Sequence, residues 1–167
     1  MSKTAIISGI TGQDGMYLSH YLLGLGYRVV GLVRRTSLPT NTRLRTLVGS
    51  PNLHLVHADI TDISSVQKAV REFQPHEFYC LAAQSHVAMS WEYPITTAEI
   101  TGLGVLNCLE AVRQESPECR FYFAGSSEQF GNPIKEGKVT ILNENSPMEP
   151  ESPYAAAKVF GFNISRV

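Results

Sequence analysis

The sequence of 167 residues has almost no net charge, because 14 Lys and Arg are set against 15 Asp and Glu, which gives −1. A basic face for a polyanion is therefore not expected, and nucleic acid is not a predicted partner. No apolar run approaches the length of a membrane span. The N-terminus has one lysine and a short apolar run before Ser8, so we predict neither membrane insertion nor a secretory signal.

Cysteine is also scarce, and the three residues lack the spacing of metal ligands. Cys80 falls in an apolar strand pattern and Cys108 in a helical pattern, and with Cys119 the number is odd. We therefore predict buried thiols, no metal site, and a reducing, cytoplasmic compartment.

Apolar residues make up 43% of the chain, and its length suits one domain. Apolar, strand-like runs alternate with helix-like segments, a pattern typical of an α/β fold with a doubly wound parallel sheet. The predicted strands are 4–7, 27–33, 52–58, 77–83 and 120–124. The predicted helices are 16–25, a helix capped by Asp62 and stopped by Pro75, 94–114, and one that begins at Pro153.

Apolar residues at helical spacing predict which faces of three helices are buried. These faces are Leu18, Tyr21, Leu22 and Leu25; then Val66, Ala69, Val70 and Phe73; then Val105, Cys108, Leu109 and Val112. Between the helices and strands, we predict a loop with a short helix over 36–50 and a long functional or mobile loop over 131–152.

A glycine-rich stretch, Ser8-Gly9-Ile10-Thr11-Gly12-Gln13-Asp14-Gly15, follows the first predicted strand and opens the first helix. The unpaired N–H groups and the dipole of a helix N-terminus favour a negatively charged ligand. Glycines permit the tight turn, the approach of a ligand to the backbone, and close helix–strand packing. An ordinary glycine loop is the alternative, but the strand–turn–helix context favours a dinucleotide pyrophosphate.

Two arginines, Arg34 and Arg35, end the second predicted strand about 20 residues beyond the glycines. An NAD-binding motif places an acidic residue there to bind the ribose 2′-hydroxyl. Two guanidinium groups can instead bind a 2′-phosphate, which favours NADP over NAD, unless they are simply solvated. Asp59 follows the third strand, where its carboxylate faces the adenine amino group or only caps a turn.

Small residues at Ala82 and Ala83 end the fourth strand, where they permit a flat ligand against the backbone or tight helix–sheet packing. Ser85 and His86 follow. A lone histidine in such a place is more often structural than catalytic, and we interpret His86 as structural.

The last predicted helix carries Tyr154 and Lys158 on one face, because they are four residues apart. A lysine ammonium near a phenol stabilises the phenolate, so Tyr154 can act as general acid or base beside a nicotinamide. Ser126, after the fifth strand, could supply a third polar contact to the reacting oxygen.

At this point the sequence resembles the extended short-chain dehydrogenase/reductases, and more narrowly the GDP-mannose 4,6-dehydratase family. The resemblance covers the whole chain. It is carried by Gly9-Ile10-Thr11-Gly12-Gln13-Asp14-Gly15 with Tyr17-Leu18, Leu32-Val33-Arg34-Arg35, Asp59-Ile60-Thr61-Asp62, Ala82-Ala83-Gln84-Ser85-His86-Val87, Ser126-Ser127-Glu128-Gln129-Phe130-Gly131 and Ser152-Pro153-Tyr154-Ala155-Ala156-Ala157-Lys158. Ser126 stands where the family usually has threonine, and Phe130 where it usually has tyrosine.

The resemblance implies a cycle in which NADP takes a hydride from the sugar C4 and returns it to C6. Tyr154 is then the base, Lys158 orients it, and Glu128 removes the C5 proton and helps to expel water from C6. The candidate catalytic residues are Ser126, Glu128, Tyr154 and Lys158. The candidate cofactor-binding residues are Gly9, Thr11, Gly12, Gln13, Asp14, Gly15, Arg34, Arg35, Asp59, Ile60, Leu81, Ala82, Ala83, Ser85, Tyr154 and Lys158. The candidate substrate-binding residues are Ser85, Ser126, Glu128 and Tyr154.

Two other functions remain open: a different nucleotide-sugar epimerase or decarboxylase of the same superfamily, and a non-catalytic NADP-binding module. Because no helix stop signal follows Asn163, we expect the last helix to continue through residue 167. The resemblance implies a substrate domain beyond it. We therefore expect residues 1–167 to be a dinucleotide-binding domain that binds NADP, has no useful turnover alone, and forms a homo-oligomer (dimer or tetramer).

Overall fold

The computed structural model describes residues 2–37, 42–47, 49–135 and 138–167. The chain forms two compact units, each built from two segments. Unit 1 comprises Met1–Ala82 and Gly104–Ala124, and unit 2 comprises Ala83–Leu103 and Gly125–Val167.

Unit 1 contains a five-stranded parallel sheet with strand order β3-β2-β1-β4-β5, which confirms the predicted fold class. Its strands are β1 (Thr4–Ser8), β2 (Arg28–Val33), β3 (Leu53–His57), β4 (Glu77–Cys80) and β5 (Arg120–Phe123). Its helices are α1 (Gln13–Gly24), α2 (Ile63–Phe73) and α5 (Gly104–Glu115), with a short 3-10 helix at Thr42–Leu44.

Both faces of the central strand are buried, as expected for a parallel sheet covered by helices on either side. All five residues of β1 are buried. On one face, Ala5 and Ile7 join a cluster with Leu22 of α1 and with Leu44 and Leu47. The predicted short helix in 36–50 is therefore found as a 3-10 turn packed on the core, while residues 38–41 and 48 of that prediction lie outside the described residues.

The helix α2 forms as predicted. The Asp62 carboxylate accepts a hydrogen bond from the Ser64 N–H at 3.1 Å and so caps the helix N-terminus. The predicted face of Val66, Ala69, Val70 and Phe73 is buried. Arg71 forms a bidentate ion pair with Glu115 of α5, and this pair lowers the pKa of the Glu115 carboxyl.

The predicted face of α1 is wrong in part. Tyr21 and Leu25 are exposed, whereas Gly15 and Ser19 are buried beside Leu22. The reason is close packing: the small residues Gly15 and Ser19 let the helix approach the sheet, and a pattern that counts only apolar side chains does not detect them. The Ser19 hydroxyl donates to the Gly15 carbonyl at 2.6 Å, so its burial leaves no polar atom unpaired.

Unit 2 is mainly helical. Its elements are α3 (Val87–Glu92), α4 (Pro94–Thr97), a π-helical segment (Ala98–Leu103), a 3-10 helix (Ser127–Phe130), the strands β6 (Ile134–Lys135) and β7 (Lys138–Val139), and α6 (Pro153–Ile164). The sequence did not predict α3. The small antiparallel pair of β6 and β7 lies in the predicted loop 131–152, of which residues 136 and 137 are outside the described range.

The single helix predicted over 94–114 is also wrong in its middle, where residues 98–103 are π-helical. In this segment the Thr101 hydroxyl accepts the Gln84 N–H at 3.0 Å and donates to the Gln84 carbonyl at 3.2 Å. These bonds tie the helix to a strand exit, which hydrophobic periodicity does not encode.

The final helix does not continue through residue 167 but ends at Ile164. The Gly161 carbonyl accepts both the Ser165 N–H at 3.1 Å and the Ser165 hydroxyl at 2.7 Å. The Arg166 N–H then bonds to the Asn163 carbonyl only three residues back, at 3.1 Å, so the last turn is tightened as helix ends often are.

The prediction of buried thiols is confirmed for Cys80 and Cys108, whereas Cys119 is only half-buried, and none of the three is in a disulfide. A hydrogen bond between the Cys108 and Cys80 thiols, together with burial, raises the pKa of Cys108 well above its usual value. Burial raises the pKa of Cys119 to about 12.

At the amino ends of the strands, Glu77 binds three side chains. Tyr27 and Tyr79 donate their hydroxyl hydrogens to its carboxylate at 3.2 and 2.9 Å, and the Lys3 ammonium lies 3.6 Å from it. Burial, followed by the hydrogen bond to Glu77, raises the pKa of Tyr79 to about 12.

We predict an alkaline loss of stability that depends on Tyr79. Because its pKa rises from 10.0 unfolded to about 12 folded, its contribution is complete below pH 10 and is lost as the pH rises to about 12. The free energy of unfolding in urea should therefore fall more steeply across this window in the wild type than in Tyr79→Phe, with the exposed Tyr21→Phe of α1 as control. Identical pH dependence in wild type and Tyr79→Phe would contradict the assignment.

Candidate active site

The glycine turn between β1 and α1 lies directly against the exit of β4. Gly9 has a φ of +75°, and a Cβ there would lie 2.8 Å from the Ala82 nitrogen, closer than real contacts allow. The Gly12 N–H donates to the Gly9 carbonyl at 2.9 Å and closes the turn. Glycine is therefore required at position 9 both for its backbone conformation and for the close approach.

The start of α1 is packed just as tightly onto this turn. A Cβ on Gly15 would strike the Gly9 carbonyl oxygen and lie 2.6 Å from the Ile10 Cα. Gly12 is the N-cap and supplies no side-chain acceptor to the first turn of the helix. The N-terminal N–H groups are thus left for a different acceptor, and a phosphate is one that this geometry favours. The remaining predicted residues of the turn, Thr11, Gln13 and Asp14, are half-buried or exposed.

A residue that the sequence reading missed fixes the exit of β4. The fully buried Ser8 hydroxyl accepts the N–H groups of Leu81 and Ala82 at 3.2 and 3.3 Å. Leu81 and Ala82, both predicted to bind the cofactor, are half-buried there. The signal in the sequence is a serine at the end of a mainly apolar strand.

The two predicted arginines line a cavity of about 240 Å³ at the carboxyl ends of β2 and β3. The cavity is lined by Arg34, Arg35, His57, Ala58, Asp59, Asp62 and Ser65. The structure thus brings the two arginines and Asp59 to one cavity. The sequence reading did not single out His57 and Ser65.

For Asp59, the structure shows the turn-capping alternative. Its carboxylate accepts the N–H and hydroxyl of Thr61 at 3.0 and 2.8 Å, and its own N–H donates to the Ser65 hydroxyl at 3.0 Å. Ile60 is buried, and its carbonyl accepts the Asn107 amide at 2.8 Å. This network fixes the wall of the cavity.

Arg43 was also missed. Its guanidinium donates to the Thr11 carbonyl in the glycine turn at 3.3 Å. No motif spacing points to it, because Arg43 and Thr11 are 32 positions apart in sequence.

In unit 2, Tyr154 and Lys158 lie one turn apart on α6, and both side chains are at least nine-tenths buried. The Lys158 ammonium is 5.8 Å from the centre of the Tyr154 ring. The Ser152 hydroxyl accepts the Ala155 N–H at 3.0 Å, and Pro153 occupies the first helical turn, so the helix start is firmly defined. The predicted Tyr–Lys proximity is confirmed.

Ser126 and Glu128 lie on the 3-10 turn that follows β5. The Ser126 hydroxyl accepts the Glu128 N–H at 3.2 Å, which shapes the turn. The Glu128 side chain is exposed, and Ser126 is half-buried. Gln129, which the sequence reading did not select, hydrogen-bonds both this turn and α6.

The segment after β4 holds Ser85 and His86. Ser85 is exposed, and Ala83 is half-buried. The His86 Nδ1 accepts the Met89 N–H at 3.2 Å and caps α3, which confirms the structural interpretation of this histidine. The Gln84 side chain accepts the His86 N–H at 2.7 Å and donates to the Thr97 hydroxyl at 3.0 Å, so the segment is well fixed.

Within the described ranges, no group of three or more His, Cys, Asp or Glu side chains has the arrangement of a metal site. None of the helices in the same ranges is long and apolar enough to span a bilayer.

The strand order, the glycine turn and the helix with Tyr154 and Lys158 define a Rossmann-fold protein of the short-chain dehydrogenase/reductase class. Within that class, the GDP-mannose 4,6 dehydratase family profile matches residues 6–167, and the chain belongs to this family.

Relatives and solved structures agree with this placement. The GDP-mannose 4,6 dehydratase of Drosophila melanogaster is 43% identical over 97% of this chain, which covers 42% of that relative. The chain spans less than half the length of the curated relatives it matches. The UDP-glucose 4-epimerase of Thermus thermophilus, solved with NAD, is 30% identical with a TM-score of 0.81, over 98% of this chain and 50% of that one. The UDP-Glc/GlcNAc 4-epimerase of Campylobacter jejuni, 19% identical, has the same fold with a TM-score of 0.87, over 99% and 48%.

We predict opposite effects of alanine at two glycines of α1. Gly15→Ala should lower the free energy of unfolding by about 2–3 kcal/mol, because its Cβ meets backbone that cannot move aside. Gly24→Ala should raise it by about 0.5–1 kcal/mol, because nothing lies within 4 Å and alanine favours the helix. Urea unfolding measures both. Equal effects of the two substitutions would refute the close packing of Gly15.

Proposed function

We propose that this chain carries the cofactor-binding and acid–base groups of an NADP-dependent enzyme that converts GDP-mannose to GDP-4-keto-6-deoxymannose. The observation that carries the proposal is the membership of residues 6–167 in the GDP-mannose 4,6 dehydratase family, together with Ser126, Glu128, Tyr154 and Lys158 intact in unit 2. A pure binding module would have no need of all four groups.

The residues of unit 1 fit a dinucleotide. Gly9 and Gly15 let the turn and the first turn of α1 pack directly against neighbouring backbone, and the N-cap of α1 supplies no competing side-chain acceptor, so the N-terminal N–H groups of this helix suit a pyrophosphate. The two guanidinium groups at the cavity of Arg34 and Arg35 support NADP, since they suit a 2′-phosphate better than a 2′-hydroxyl. Asp59 and Ile60 form part of the proposed adenosine-binding wall.

Held by the glycine turn and by Arg34 and Arg35, NADP would supply the hydride acceptor for oxidation at the sugar C4 and the hydride donor for reduction at C6. Tyr154 takes the proton of the 4-hydroxyl as that carbon is oxidised, and the nearby Lys158 ammonium stabilises the phenolate. The Ser126 hydroxyl donates to the same sugar oxygen.

Glu128 is the proposed acid–base residue for the elimination of water across C5 and C6. Its carboxylate removes the C5 proton, which is acidic beside the new C4 carbonyl, and the resulting carboxylic acid gives that proton to the departing C6 hydroxyl, so that water leaves and a C5–C6 double bond forms. When hydride reaches C6, C5 takes up a proton, which balances the release from Tyr154 of the proton that it took from the 4-hydroxyl. Ser85 is proposed to bind the substrate next to these groups.

A second candidate is the epimerisation of a nucleotide sugar at C4. It is favoured by the 30% identity to the UDP-glucose 4-epimerase of T. thermophilus. Tyr154 and Lys158 would serve either reaction, whereas loss of water at C6 belongs only to the dehydratase. The product of a nucleotide-sugar incubation therefore separates them: a 4-keto-6-deoxy sugar supports the first proposal, and an inverted C4 hydroxyl supports the second.

The remaining expectations stay predictions: a cytoplasmic location, a homo-oligomer, and the reading of residues 1–167 as one dinucleotide-binding domain. Turnover is best measured in a chain of the relatives' full length that carries this sequence, and cofactor binding in the chain itself.

We predict that NADP binds more tightly than NAD and that Arg35→Ala removes most of the difference. A charge-assisted pair with a phosphate contributes about 1.5–3 kcal/mol, which corresponds to roughly ten- to a hundredfold in affinity. Calorimetric titration with both cofactors measures the ratio. Arg113→Ala, which removes an exposed arginine of α5, is the charge-matched control. Equal affinity of the wild type for NAD and NADP would rule the proposal out.

We predict that substitution of the two acid–base residues, Tyr154 and Glu128, impairs different steps of the reaction. Tyr154→Phe should abolish C4 oxidation and all turnover, whereas Glu128→Gln should impair elimination more than oxidation. Exchange of the C5 hydrogen with deuterated solvent reports the Glu128 step, and Glu118→Gln is the control. Undiminished exchange in Glu128→Gln would remove Glu128 from this role.

A further inference from the structure

Gln129 has a buried side-chain amide whose oxygen and nitrogen both form hydrogen bonds. Its Oε1 accepts the Ser126 N–H at 2.8 Å, and its Nε2 donates to the Lys158 carbonyl at 3.2 Å. Only 4% of the residue is exposed. Each buried partner would lose its hydrogen bond if the amide were removed, which makes the interaction costly to break.

These two bonds connect the segments that carry the proposed chemistry. Ser126 and Glu128 lie on the 3-10 turn, whereas Lys158 lies on α6, 29 residues away from Gln129 in sequence. Gln129 follows Glu128 directly, so the orientation of the turn and the position of the Glu128 backbone depend on where this amide is held.

The strand exit is shaped to accommodate the amide. A Cβ on Gly125 would lie 2.8 Å from the Gln129 Oε1. Any larger residue at 125 would therefore displace the oxygen that accepts the Ser126 N–H.

We propose that Gln129 is a positioning residue that sets the placement of Ser126 and Glu128 relative to Tyr154 and Lys158. Its chemical consequence rests on the proposed function, in which these groups act on neighbouring atoms of one sugar. Gln129 itself does not meet the reacting atoms, because its amide is buried and bound to the backbone at both ends. A displacement of about 1 Å at such groups lowers a rate roughly a hundredfold.

The first test measures amide hydrogen exchange in the chain itself and needs no substrate. In Gln129→Leu, which keeps the side-chain size, the Ser126 N–H loses its acceptor and should exchange at least about tenfold faster. The amides of β1 should be unaffected. Unchanged protection of the Ser126 N–H would overturn the proposal.

The second test separates positioning from general stability in the full-length protein that carries this sequence. Gln129→Leu should lower kcat about a hundredfold with little change in KM. Ser116→Ala is the matched control, because it removes a buried hydrogen bond to the Pro75 carbonyl in unit 1. It should lower the melting temperature but leave kcat unchanged. An equal kcat loss in both variants, or none in Gln129→Leu, contradicts positioning.

Gln129→Glu supplies a pH signature. Its carboxylate can still accept the Ser126 N–H but cannot donate to the Lys158 carbonyl until it is protonated. The ratio of its kcat to that of the wild type should therefore rise as the pH falls, and a flat ratio would contradict the proposal. If the wild type does not convert GDP-mannose, the proposed function fails, while the exchange experiment still decides whether Gln129 holds the turn.

Discussion

The architecture of unit 1 depends on how closely three pieces of backbone approach one another at the glycine turn. The backbone at Gly9 touches the exit of β4, and the first turn of α1 touches the Gly9 carbonyl. No side chain can be inserted at either contact, so the turn fixes the height of the helix above the sheet and the course of the chain after β4. Ser8 reinforces the arrangement by accepting the N–H groups of Leu81 and Ala82.

The sequence was sufficient where burial is achieved with large apolar side chains. The face of α2 was predicted because apolar residues recur at helical spacing, and the five parallel strands because short apolar runs alternate with helical segments. It was insufficient where burial is achieved with small residues or hydroxyls. Gly15 and Ser19 are buried on α1 beside Leu22, and the Thr101 hydroxyl of the π-helical segment bonds to Gln84. A pattern of apolar side chains predicts neither of these features.

The residues of the candidate site also fall into those that the sequence predicted and those that it did not. Motif spacing located the glycine turn, the arginine pair and the Tyr154–Lys158 pair, because each is local in sequence. The groups that hold these motifs in place act across long separations: Ser8 bonds residues 73 and 74 positions away, and Gln129 bonds one 29 away. Such pairings are a property of the folded chain, and a single sequence has no periodic signal for them.

The carboxylate of Glu77 leads to a practical consequence. It accepts hydrogen bonds from Tyr27 and Tyr79 and pairs with Lys3 at the amino ends of the strands, whereas the glycine turn follows the carboxyl end of β1. Five-residue strands separate the two edges by roughly 16 Å. The amino edge is therefore a suitable place to attach a fluorophore or a surface tether, since a label there lies at the opposite edge of the sheet from the glycine turn.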